Sequence, residues 1–128
     1  MGRFTGVGSH VDDQIGAPTG AELIADVTAH ALRQWQQQPD VSGLYHLAAS
    51  GETSWYDYAR YVFGWAQNEG LPLAIQSVNP IPSEDYPVPA MRPKNSRLDG
   101  QKLETTFNLQ LPEWKQGVEH MMSEVFDV

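Results

Sequence analysis

Two kinds of apolar run alternate along this chain, and that alternation limits the folds open to it. Runs with apolar residues at helical spacing, residues 19–38 and 54–70, flank the short apolar run GLYHLAAS at 43–50. A second short run, LAIQSVNPI, follows at 73–81. Helices that alternate with short buried strands are typical of α/β folds. Two or three short strands are too few for a complete doubly wound sheet. We therefore expect an incomplete α/β fold with about four helices.

Local signals predict where the first two helices begin and end. Thr19 and Glu22 have the spacing of a capping box, and Pro39 cannot continue a helix. The face of this first helix that is predicted to turn inward comprises Leu23, Ile24, Val27, Ala31, Leu32 and Trp35. Thr53 or Ser54 is predicted to cap the second helix, and Gly70 to end it.

The C-terminal third is predicted to hold two more helices after a proline-rich loop. The prolines of the loop are Pro80, Pro82, Pro87, Pro89 and Pro93. Asp99 can cap a short helix that runs through Phe107, and Pro112 is suited to the first turn of a last helix. The residues of that last helix predicted to face inward are Trp114, Val118, Met121, Met122 and Val125.

Charge and composition exclude several classes of protein. The 128 residues include 16 acids and 8 bases, for a net charge of −8, which would repel a nucleic-acid backbone. No apolar run approaches the roughly 20 residues of a membrane helix, so no membrane partner is expected. The absence of Cys excludes disulfides and thiolate metal sites and is compatible with a cytoplasmic location. Residues 1–10, MGRFTGVGSH, are predicted to be a disordered or foreign lead-in, and residues 11–128 one domain.

Motifs for the common α/β chemistries are missing from the sequence. GVGSHV begins like a dinucleotide-binding loop, but Val11 stands where the third Gly belongs. No Tyr is followed four residues later by Lys, and the four His residues show no metal-binding spacing. Each His is therefore interpreted as structural or exposed, and we expect neither catalytic nor cofactor-binding residues.

The segment RPKNSRLD, residues 92–99, is the strongest candidate for a binding site. Guanidinium groups of Arg92 and Arg97 suit phosphate oxygens, and Asn95 and Ser96 can hydrogen-bond a sugar or a base. The alternative is a loop whose basic residues pair with some of the many carboxylates of the chain. Composition alone leaves both interpretations open.

Four stretches in this order, DDQIGAPTGAELIAD, GLYHLAASGETSWYDYA, RPKNSRLD and LPEWKQGV, resemble the C-terminal portion of the dTDP-4-dehydrorhamnose reductase family. That family belongs to the extended short-chain dehydrogenases/reductases, and the resemblance runs from about Val11 to Phe126. It implies a substrate-binding domain of a Rossmann-type enzyme that uses NADPH to reduce the 4-keto group of a dTDP-sugar, the last step of dTDP-L-rhamnose synthesis. The Gly-rich loop and the Tyr/Lys pair of the family lie in an N-terminal half without counterpart here. We therefore expect no NADPH binding and no activity from this chain alone.

The resemblance also implies a metal site and partners. Some members of the family form Mg²⁺-linked dimers through clustered Glu residues, of which two correspond to Glu22 and Glu124. The alternative interpretation makes Glu22 a capping-box residue and Glu124 a solvated helix acid. A homo-oligomer is expected, because removal of a Rossmann half would expose apolar surface. A rival hypothesis for function is a non-enzymatic assembly or regulatory module of the same fold.

Overall fold

A computed structural model describes residues 6–71, 75–85 and 92–127. These residues divide into two compact units. The first takes the described residues up to 16 and those between 52 and 96, together with residue 127, and the second takes residues 17–51 and 97–126. Within these ranges, four helices and four short strands give the mixed α/β class that the sequence predicts.

The first unit contains a pair of parallel strands covered by a helix. Strand β1 (Gly6–Val11) pairs with β4 (Ile75–Ile81), and helix α2 (Trp55–Asn68) packs against both. Ala59 and Ala66, two turns apart on α2, are buried, and such small side chains let a helix approach a sheet closely. Strands β2 (Ile15–Gly16) and β3 (Thr53–Ser54) form a short antiparallel pair.

The predicted ends of α2 are confirmed, and so is the second strand. The Ser54 side chain accepts a hydrogen bond from the Asp57 backbone N–H at 3.0 Å, as an N-cap does. Gly70, just past the helix, has a φ of +74°, a left-handed conformation that favours glycine. Residues 6–10, which the sequence assigns to a lead-in, form most of β1 and pair with β4.

Among the described residues the second unit holds three helices, of which the first two contribute to one apolar cluster. They are α1 (Ala21–Gln37), α3 (Gln101–Phe107) and α4 (Trp114–Phe126), and a 3₁₀ turn lies at Pro39–Val41. Four buried side chains form the centre of the cluster: Val27, Leu103, Phe107 and Leu111. Helix α3 begins where predicted, but its N-cap is Gly100, without a side-chain capping bond. The Asp99 carboxylate, one residue earlier, accepts the Gln101 backbone N–H at 2.9 Å.

The capping box predicted for α1 does not form. Helix α1 has Gly20 at its N-cap, without a side-chain capping bond. The Thr19 hydroxyl instead donates to the Ala17 carbonyl and accepts the Ala49 backbone N–H, each at 3.0 Å. The Thr19 hydroxyl thus makes a tertiary contact with Ala49 and does not cap α1.

The strand predicted at residues 43–50 is not formed among the described residues. Only Ser50 makes a bridge, through backbone hydrogen bonds with Pro112 and Trp114. An apolar run becomes a strand only where a second strand supplies backbone partners. Within the described ranges, residues 43–48 have no backbone–backbone hydrogen bond.

Several side chains predicted to face inward are exposed. Val27 of α1 and Trp114, Val118 and Met122 of α4 are buried as predicted. The exposed ones are Ile24, Leu32, Trp35, Met121 and Val125. The prolines at 87 and 89 lie outside the described residues. Over the ranges given above, none of the helices has the length and apolarity required to cross a membrane.

Candidate functional site

Residues 94–96 of the predicted binding segment are attached to β2 through their backbone. The Ile15 N–H donates to the Lys94 carbonyl at 2.7 Å, and the Ser96 N–H donates to the Ile15 carbonyl at 2.7 Å. Asn95 lies between these two bonds in a parallel bridge with Ile15. Every side chain from 92 to 99 is exposed. The segment therefore has a defined backbone path while its polar side chains meet solvent.

The Lys94 ammonium forms ion pairs with two carboxylates. Its Nζ atom lies 3.7 Å from Asp13 Oδ2 and 3.4 Å from Glu84 Oε1. This contact matches the alternative interpretation of the segment for its lysine.

Asp13 is the centre of this network. Both its carboxylate oxygens accept the Ser83 backbone N–H, each at 3.0 Å, and the Ser83 hydroxyl donates to Oδ1. Gln14 Nε2 donates to the same hydroxyl at 3.1 Å. The hydrogen bonds from the Ser83 hydroxyl and backbone, followed by the charge of Lys94, lower the pKa of Asp13 from its ordinary value.

The four predicted substrate-binding residues fall in two units. Arg92, Asn95 and Ser96 belong to the first unit and Arg97 to the second, because the boundary follows residue 96. In the first unit, Arg92, Asn95 and Ser96 share one short exposed stretch anchored by Ile15.

The two predicted metal ligands lie close together in the second unit, beside a histidine. His120 Nε2 is 3.0 Å from Glu124 Oε1, one turn further along α4, and 3.6 Å from Glu22 Oε2 on α1. Ligand atoms of all three residues lie within 4.8 Å of one another, and all three side chains are exposed. Glu22 thus contacts α4 instead of capping α1.

The chemistry of this cluster fits more than one cation. Two carboxylates and water suit Mg²⁺, which prefers hard oxygen ligands. An imidazole nitrogen beside carboxylates suits Zn²⁺ or another transition metal better. The fit to Mg²⁺ therefore rests on Glu22 and Glu124, with the His120 imidazole close to both carboxylates.

Sequence reasoning missed two residues of these sites. Asp13 carried no signal, because its partner Ser83 is 70 residues away in sequence. His120 carried a weak one: it precedes Glu124 by four residues, and that spacing places both on one face of a helix.

Comparison with known proteins gives the chain its family. The profile described as the RmlD substrate binding domain matches residues 8–126. A dTDP-4-dehydrorhamnose reductase of Escherichia coli K12 is 55% identical over 116 residues, which are 91% of this chain and 39% of that protein. One from Salmonella typhimurium LT2 is 52% identical over 118 residues, 92% of this chain and 40% of that protein.

Solved structures of the same reductase share the fold. A dTDP-4-dehydrorhamnose reductase from Clostridium acetobutylicum has a TM-score of 0.79 at 28% identity, over 93% of this chain and 39% of that one. One from Bacillus anthracis, in complex with NADP, has a TM-score of 0.70 at 30% identity, over 92% of this chain and 38% of that one. The chain spans about 39% of the length of these relatives. The resemblance seen in the sequence is confirmed, and the chain belongs to the RmlD substrate binding domain family.

Proposed function

We propose that this chain is the dTDP-sugar-binding part of an NADPH-dependent dTDP-4-dehydrorhamnose reductase that acts at the last step of dTDP-L-rhamnose synthesis. The family profile and the names of the relatives support this assignment, as does the relative in complex with NADP. Because the chain spans about 39% of those relatives, the reductase activity is proposed for the protein as a whole. A cytoplasmic location is proposed with it, supported by the absence of Cys.

The observation that carries the proposal is the exposed basic segment at residues 92–97. A dTDP-sugar carries a diphosphate, and a chain with a net charge of −8 repels it except where cations are concentrated. Arg92 and Arg97 supply forked N–H donors for phosphate oxygens. Asn95 and Ser96 supply hydrogen bonds that orient the nucleotide or the sugar. The anchoring of this stretch to Ile15 supports the proposal, since a fixed backbone lowers the entropy lost on binding.

The contribution of this chain to the reaction is binding and orientation. NADPH, when bound, supplies the hydride that reduces the ketone. Reduction also needs a general acid near the carbonyl oxygen. The sequence offers neither a Gly-rich cofactor loop nor a Tyr/Lys pair, so we propose that the chain alone is inactive. The check is NADPH oxidation at 340 nm with dTDP-4-dehydro-6-deoxy-L-mannose; turnover above a buffer control would contradict it.

Glu22 and Glu124 are proposed as Mg²⁺ ligands in the same framework. Their carboxylates are exposed and close together, which supports the proposal. A cation held there would bridge α1 and α4 within the second unit and would neutralise part of its acidic surface. Such a site has a structural or assembly role, and no step of the reduction is assigned to it.

The test of dTDP binding is calorimetric titration of the purified chain with dTDP. Arg92→Ala and Arg97→Ala are expected to weaken binding about tenfold each, the effect of one charge-assisted hydrogen bond. Arg33→Ala is the matched control, because Arg33 is an exposed arginine of α1 outside the segment. The same substitutions in an intact relative should raise KM for the dTDP-sugar. If both variants bound dTDP as tightly as the parent but unfolded more easily, the two arginines would have a structural role only.

A further inference from the structure

We propose that Asp13 is a positioning residue for the substrate-binding segment, an inference that rests on the proposed dTDP-sugar function. Asp13 lies between β1 and β2 and directs its carboxylate to Ser83, the first residue of the 3₁₀ turn Ser83–Asp85. Its side chain is 26% exposed, so most of it is shielded from water. The carboxylate thereby joins three parts of the first unit that are distant in sequence.

The contacts of Asp13 lead directly to the segment. Asp13 attracts the Lys94 ammonium, and two residues later Ile15 binds the Lys94 carbonyl and the Ser96 N–H. Lys94 is thus held at both its side chain and its backbone. Asn95 and Ser96 directly follow Lys94 in sequence, and Arg92 lies two residues before it. The position of these proposed ligand contacts therefore depends on a carboxylate that need not touch the ligand.

A carboxylate is suited to this position and an amide is not. Both oxygens of Asp13 accept, and the donors that face them are the Ser83 N–H, the Ser83 hydroxyl and the Lys94 ammonium. In Asp13→Asn one acceptor becomes an NH₂ donor that faces other donors, and the charge that attracts Lys94 disappears. Side-chain volume stays nearly the same, so the substitution probes hydrogen bonding and charge.

Asp12 provides a matched control with the same change of charge. Asp12 is exposed, and its backbone N–H donates to the Ile81 carbonyl at 2.9 Å, a contact that Asp12→Asn leaves in place. Removal of an acid near an anionic ligand by itself favours binding. A purely electrostatic role for Asp13 therefore predicts that both variants bind dTDP as tightly as the parent or more tightly. Positioning predicts the opposite sign for Asp13→Asn alone.

The experiment combines dTDP titration with amide hydrogen exchange, measured by NMR on the whole chain. For Asp13→Asn we expect at least about fivefold weaker dTDP binding and faster exchange of the Ile15 and Ser96 amides. For Asp12→Asn we expect neither change. Ser83→Ala, which removes the hydroxyl donor, should shift both readouts in the same direction and serves if Asp13→Asn fails to fold.

The outcomes separate this inference from the function on which it rests. Unchanged exchange at Ile15 and Ser96 in Asp13→Asn would overturn the positioning role, whatever the affinity. Faster exchange with parental dTDP affinity would overturn it as well, because the segment would then not need Asp13 to bind. If the parent chain and an intact relative both fail to bind dTDP, the proposed function falls. The exchange rates then decide whether Asp13 fixes this backbone.

Discussion

His30 Nε2 lies 2.9 Å from the carbonyl oxygen of Phe107, the last residue of α3. Because a carbonyl only accepts, this ring nitrogen carries a proton. Gln34, one turn further along α1, donates to the Thr106 carbonyl at 3.1 Å. A seven-residue helix cannot satisfy its last carbonyls internally, so α1 supplies the donors that α3 lacks.

Loss of this contact should weaken the second unit. We expect His30→Ala to lower the free energy of unfolding by about 0.5–1 kcal/mol, the net value of one hydrogen bond. Urea denaturation followed by circular dichroism measures the change. His46→Ala is the control, since His46 is an exposed histidine of the same unit. Equal unfolding midpoints for the two variants would show that the bond to Phe107 contributes nothing.

Asp13 should make stability depend on acid pH. The Ser83 hydrogen bonds and Lys94 lower the pKa of Asp13 in the folded chain below its ordinary value of 3.8. The contribution of this group is therefore present above the unfolded pKa and is lost as the pH falls through the folded pKa. Thermal midpoints of the parent and Asp13→Asn should differ near neutral pH and converge below about pH 3.8. A constant difference at every pH would contradict this, and Asp12→Asn should show little difference throughout.

The cluster of Glu22, His120 and Glu124 should distinguish cations by their ligand preference. Mg²⁺ binding can be measured by its competition with Mn²⁺ in proton relaxation. It should weaken in Glu22→Gln and Glu124→Gln and persist in His120→Ala. Zn²⁺ binding should require His120 as well. Asp26→Asn, an exposed acid one turn along α1 from Glu22, is the control for general loss of charge. If Asp26→Asn weakened cation binding equally, the binding would reflect general attraction to an acidic surface and not a defined site.

Residues 44–48 should exchange their amide hydrogens quickly. In the described part of the chain these residues have no backbone–backbone hydrogen bond, whereas the Ala49 N–H is bound by the Thr19 hydroxyl. We expect protection at Ala49 in the parent and its loss in Thr19→Val, with no change at residues 44–48. Strong protection of residues 44–48 would show that a strand from another molecule pairs with them.

Exposed apolar side chains of the second unit should drive self-association. Leu44 is 76% exposed, Leu32 55% and Trp35 44%. Apolar surface of this kind favours association, so we expect a dimer or higher oligomer in sedimentation velocity. Leu32→Gln with Leu44→Gln should shift the population toward monomer, whereas Val125→Gln, at an exposed position of α4, serves as the comparison. A monomer mass independent of concentration in the parent would disprove the expectation.

Short-range signals predicted most of the helices. The Ser54 cap, the Gly70 terminus, Asp99 at the start of α3 and the end of α1 before Pro39 each depend on residues within one or two turns. Such signals act through the local backbone, which is why one sequence reveals them. The family was also readable, because four motifs in a fixed order are specific even where each alone is weak.

Contacts between residues distant in sequence decided the rest. Thr19 binds the amide of residue 49 instead of capping α1, and Glu22 meets His120 rather than its own helix end. The strand predicted at 43–50 finds no partner in the described residues, and residues 6–10 become a strand because β4 lies beside them. The Asp13 carboxylate accepts a hydrogen bond from Ser83, which is 70 residues away in sequence. Hydrogen-bonding groups take whichever partner the fold brings near, and that partner is set by packing, which local sequence does not encode.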